Sequence, residues 1–129
     1  MEESHRFVKE LSEMKISLSV DESDLLAFFE VMPTPAEHDI SWEYNDSVYE
    51  VSRNNVHLTF ALVPVSRDVK IKFKVGELLV YELNATGIQD IKHHREKGRE
   101  SLEVILAARD SLWIRLKPEV SIHHNMAER

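Results

Sequence analysis

At 129 residues, 43% apolar and 30% charged, with only three glycines and four prolines, the chain reads as one globular domain spanning residues 1–129, with no long linker. It has no cysteine, which excludes disulfides, thiolate zinc sites, iron–sulfur clusters and cysteine nucleophiles. The net charge of −7 is unevenly distributed: residues 1–50 carry thirteen acids against three bases, a balance of −10, and residues 51–129 carry +3.

The N-terminus lacks the basic-then-apolar order of a signal peptide, and no apolar run is long enough to span a bilayer, so the expected location is cytoplasmic. Phe7, Leu11 and Met14 recur at helical spacing and predict a short amphipathic helix over 4–14. Ile16, Leu18 and Val20 alternate with serines as in a short strand, unless the helix continues through them. A second helix is better signalled. Asp21 or Ser19 can cap it, Glu22 and Asp24 sit at its positive dipole end, Leu25, Phe28, Phe29 and Met32 share a face, and Pro33 stops it. Residues 34–39 read as a loop.

From Ile40 the pattern changes to short alternating runs between turn residues. Strands are expected near 40–44, 48–53, 56–65, 69–75, 78–84, 88–94, 101–108, 111–117 and 120–124, with 56–65 central because neither of its faces carries many charges. A three-residue loop at Val75-Gly76-Glu77 would set Phe73 opposite Leu79, Ile71 opposite Tyr81 and Lys70 opposite Glu82; a two-residue loop would set the lysines against apolar partners. The fold class is therefore α+β: an antiparallel β-meander, as a twisted sheet or partly closed barrel, packed on one or two N-terminal helices.

No nucleophile elbow, phosphate-binding glycine loop, metalloprotease helix or dinucleotide fingerprint is present, and nothing in the sequence requires a cofactor. His93-His94 and His123-His124 invite a metal reading, but neighbours on a strand point to opposite faces, so neither pair can give two ligands to one ion. Two surfaces remain. One is the acidic, aromatic-bearing region 21–50, where Asp39, Trp42, Glu43, Tyr44 and Asp46 form the candidate face for a protein partner, with Trp42 and Tyr44 on one side of a strand. The competing reading is that these acids cap a helix and neutralise the basic second half. The other surface is basic: Lys70, Lys72 and Lys74 along one strand, with Lys92, Arg95, Lys97 and Arg99 at a hairpin tip, which could meet nucleic acid but has no aromatic interleaved for stacking.

By size and charge alone the chain is similar in composition to small acidic inhibitors such as bacterial toxin-neutralising immunity proteins. The leading expectation is a non-catalytic binding protein that neutralises a basic partner. The alternatives are a small-molecule-binding or hydrolytic domain with a pocket lined by Phe60, Phe73, Tyr81 and Trp113, and nucleic-acid binding through the basic hairpin.

Overall fold

The computed structural model describes residues 18–126. The helix expected over 4–14 and the start of the strand expected from Ile16 lie outside the described residues. Residues 18–20 form neither helix nor strand: Ser19 donates from its backbone N to Asp90 Oδ1 at 2.7 Å, and its hydroxyl bonds the other oxygen of the same carboxylate.

Helix α1 runs Glu22–Phe29 with Asp21, one of the two caps the sequence offers, as its N-cap in a capping box with Asp24. Asp21 Oδ1 accepts from Asp24 N at 2.9 Å, and Asp24 Oδ2 accepts from Asp21 N at 2.9 Å, so two otherwise orphaned N–H groups are satisfied. The helix stops short of Pro33 because Glu30 turns left-handed, at φ 58°, as its C-cap. Met32 therefore leaves the apolar face and stands in solvent, whereas Leu25, Phe28 and Phe29 are buried.

Among the described residues nine strands follow in two antiparallel sheets. The first sheet joins β1 (Thr34–Pro35), β2 (Ser47–Arg53), β3 (Val56–Val63), β4 (Asp68–Val75) and β5 (Leu78–Ala85) in that order, with β3 central as its low charge implies. The second joins β6 (Asp90–Glu96), β7 (Arg99–Ala107), β8 (Asp110–Arg115) and β9 (Ser121–Met126). The meander does not close into a barrel.

Two expectations from the sequence are corrected. The alternation at 40–44 does not make a strand: Trp42–Tyr44 is a single 3₁₀ turn, and the remaining strand is the two-residue β1, in the segment read as a loop. The β4–β5 hairpin turns in two residues, with Val75 opposite Leu78, not through the three-residue loop expected. A bulge at Phe73/Lys74 then shifts the register by one, so that Phe73 meets Tyr81, Ile71 meets Leu83 and Lys72 meets Glu82. The faces come out as the chemistry demands, but each partner lies two residues from the expected one.

Both sheets give their apolar faces to one core. Tyr49, Phe60 and Ile71 lie side by side across β2, β3 and β4, and Ile91, Val104 and Leu112 across β6, β7 and β8. Helix α1 seats on both. Phe29 stacks on Tyr49 with ring centres 4.8 Å apart and lies 5.2 Å from Phe60, while Phe28 meets the ring of His93 on β6 at 5.6 Å. Side chains tie the sheets together at their margins: Tyr81 on β5 bonds His124 on β9 at 2.9 Å, and Arg53 on β2 donates to the carbonyl of Leu116 at 3.0 Å.

Candidate protein-binding surface

Seven of the nine acids of region 21–50 fall into two groups. Asp21, Asp24 and Glu30, in and around helix α1, are engaged within the molecule. Asp21 and Asp24 form the capping box, and Asp24 also comes within 4.0 Å of His93 Nδ1. The Ser23 hydroxyl and the Asp24 N–H, both donating to Asp21, hold its carboxyl below the ordinary range. Glu30 accepts from Lys117 Nζ at 2.8 Å and lies 3.8 Å from Arg53; the Lys117 bond is the main reason its carboxyl is also held low. Asp21 and Asp24 thus cap the helix, and Glu30 neutralises bases of the second half.

The second group behaves differently. Glu37, Asp39, Glu43 and Asp46 sit on the loop between β1 and β2, and none makes an ion pair with another described residue. The loop is nonetheless ordered by its own polar groups. Buried Asn45 donates through Nδ2 to the carbonyls of Glu37, at 2.6 Å, and Ile40, at 3.2 Å, while its Oδ1 accepts from Glu37 N at 3.2 Å. The Asp46 carbonyl accepts from Ala36 N, and the Glu43 carbonyl accepts from Val65 N beyond β3, each at 2.8 Å. A chain held at so many points presents its side chains without a large ordering cost on binding.

Trp42 and Tyr44 do not share a face, because residues two apart in a 3₁₀ turn diverge. Trp42 packs against the core and donates its indole N–H to Tyr49 Oη at 3.1 Å, which makes it a support for the loop. The Tyr49 phenol, raised by burial, stays neutral well above physiological pH. Tyr44 is 60% exposed, and Ile40 in the same loop and Met32 just before it are also exposed, so apolar anchors stand among the four free carboxylates. The sequence pattern assigns Met32 to a helix face, Ile40 to a strand and Asn45 to a turn, and burial alone reveals the role of Asn45.

The basic candidates fall on different sheets. Lys70, Lys72 and Lys74 lie on the solvent face of β4, with Lys72 3.9 Å from Glu82. Lys92, Arg95, Lys97 and Arg99 lie on the β6–β7 hairpin, where Arg95 is 3.5 Å from Glu100. The single basic face combining the two groups is not formed as one strand pair or one sheet.

No protein-family model matches the sequence, and no curated protein matches it. The fold, however, has a solved counterpart. It is similar to a chain of a contact-dependent growth inhibition toxin–immunity protein complex from Klebsiella pneumoniae 342. The TM-score is 0.71 at 18% identity, and the match covers 87% of this chain and 98% of the Klebsiella chain.

In the fold shared with that Klebsiella chain, the paired histidines do diverge. His93 faces inward, its Nε2 2.7 Å from Glu100, while His94 faces outward to Glu103, at 2.9 Å, and stacks on Trp113. His124 reaches inward to Asp110, at 2.7 Å, and to Tyr81, and His123 is exposed. Among the described residues no three His, Asp or Glu side chains gather as a metal site, and no helix is long and apolar enough to cross a membrane. The pocket expected from Phe60, Phe73, Tyr81 and Trp113 does not assemble: Phe60 is fully buried, Phe73 and Tyr81 pack against the core, and Trp113 stands on the outer face of the second sheet.

Proposed function

We propose that this chain is an immunity-type binding protein, a non-catalytic cytoplasmic inhibitor that captures a basic protein toxin on the loop between β1 and β2. The observation that carries this reading is the ordered presentation of Glu37, Asp39, Glu43 and Asp46 without counter-ions among the described residues, next to exposed Tyr44 and Ile40. Unpaired charges of one sign accelerate encounter with an oppositely charged protein, and exposed aromatic side chains supply the anchors that hold it. The fold shared with a chain of a toxin–immunity complex supports the same reading.

On this view Asp39, Glu43, Tyr44 and Asp46 contact the partner, and Trp42 and Asn45 hold the loop in shape. The test is affinity capture from the native cell, repeated with Asp39→Lys, Glu43→Lys and Asp46→Lys combined. The expected result is a basic protein retained by the wild type and lost by the triple variant, whose toxicity is suppressed by co-expressing the wild-type chain. Equal retention by both proteins, or toxicity that co-expression leaves untouched, would overturn the proposal.

A further inference from the structure

The outer face of the second sheet holds a feature that partner capture by the acidic loop does not use. Trp113 lies in register with His123 on β9 and Glu103 on β7, and one side of its indole is covered by His94, with ring centres 5.1 Å apart and planes 29° from parallel. Beside it opens a cleft of about 440 Å³, lined among the described residues by Trp113, Arg115, Ser121 and His123. A second hollow shares Arg115 and Ser121 with it and adds Arg99 and Lys117 together with the carboxylates of Glu100 and Glu119.

Two guanidinium groups beside this cleft carry no internal counter-ion among the described residues. Lys72, Arg95 and Lys117 each have a carboxylate within 4.0 Å, but Arg115 and Arg99 have none among the described residues. Of the acids nearby, Glu103 is occupied by His94 and by the Ser111 hydroxyl, and Glu100 by His93 and Arg95. Glu119 lines the second hollow and has no ion pair with another described residue. An aromatic ring and an unpaired guanidinium thus face the same cleft from positions 113 and 115, two residues apart on one strand, a span of roughly 7 Å. The hydroxyl of Ser121, directly across from Arg115, adds a small hydrogen-bonding group to the cleft wall.

The geometry points to a nucleotide site: a planar base stacked on Trp113 and its phosphate held by Arg115, with Arg99 placed to receive the next phosphate of a single strand. A guanidinium binds phosphate in bidentate fashion, and stacking on an indole tolerates any base, so the class expected is nucleotides without strong base preference. The sequence concealed this site because the basic hairpin at 92–99 carries no aromatic of its own. Trp113 reaches the same sheet face from a strand further along the chain.

The test uses the full chain and adenosine monophosphate, a six-residue oligoadenylate and inorganic phosphate as probes. Trp42→Phe leaves Trp113 as the sole indole, and its fluorescence is titrated; calorimetry on the wild type provides the same isotherm without the substitution. Saturable quenching and heat are expected with the oligonucleotide, and with the mononucleotide if the ligand is a free nucleotide. Arg115→Gln and Trp113→Leu are each expected to weaken binding at least about tenfold while leaving the circular dichroism spectrum unchanged. The absence of saturation with either nucleotide at millimolar concentration, wild-type affinity in both variants, or inorganic phosphate binding as tightly as the nucleotides would overturn the proposal.

Discussion

The acids of helix α1 and those of the loop between β1 and β2 contribute to the same compositional signal, yet they differ in what surrounds them. Asp21, Asp24 and Glu30 find donors inside the molecule, in backbone N–H groups and in Lys117 and Arg53 reaching from elsewhere in the fold. Glu37, Asp39, Glu43 and Asp46 have no such partners among the described residues, although the backbone is hydrogen-bonded at Glu37, Glu43 and Asp46. Charge that a fold leaves unneutralised on an ordered surface is available to a partner, whereas charge at a helix N-terminus is already stabilising the helix. The net charge of a region therefore says little until each carboxylate has been traced to its donors.

The largest expected effect tests what holds the two regions together. Phe29→Ala removes the ring that seats helix α1 on Tyr49 and Phe60 and should cost roughly 3–5 kcal/mol in denaturant unfolding. A loss below about 1 kcal/mol would show that α1 is not anchored as described. Asn45→Ala comes next. It leaves the carbonyls of Glu37 and Ile40 without their donor and should cost about 1–3 kcal/mol, with faster amide exchange confined to residues 36–46. If exchange there is unchanged, the loop is ordered by something else and the contrast with α1 loses its basis.

Smaller effects sharpen the α1 side. Asp21→Ala should lower the melting temperature by a few degrees without altering partner binding, because only the cap is lost. Glu30 works through pH. Its carboxyl is held below its ordinary value of 4.5 mainly by Lys117, so the stabilisation it gives is fully present above that value and is lost as pH falls through the depressed one. Glu30→Gln should accordingly reduce stability at neutral pH and flatten its decline on acidification; parallel acid-denaturation curves for wild type and variant would argue against the Lys117 contact.

Much of the fold was legible in the sequence because period-two alternation and turn residues are local signals. The Asn54-Asn55 and Lys97-Gly98 turns, with positive φ at all four residues, close hairpins where the pattern placed them. What stayed hidden depends on contacts distant in the chain or on single displaced residues. Ile40, Trp42 and Tyr44 alternate like a strand, but Asn45 captures the carbonyls of Glu37 and Ile40 and turns the segment into an ordered loop. The bulge at Phe73/Lys74 leaves no compositional mark, yet it resets every partner beyond it. For the candidate surface, the sequence located the acids but could not separate those with donors from those without, since Lys117 lies 87 residues from Glu30.

The most direct test sets two triple variants side by side. One carries Asp39→Lys, Glu43→Lys and Asp46→Lys; the other carries Asp21→Asn, Asp24→Asn and Glu30→Gln. Thermal stability and affinity for the captured basic partner are measured on both. The account predicts that the loop variant keeps its melting temperature and loses on the order of 100-fold in affinity at low salt, while the α1 variant melts earlier and, below its transition, binds as the wild type does. Wild-type affinity in the loop variant, or a loss of affinity confined to the folded α1 variant, would contradict it.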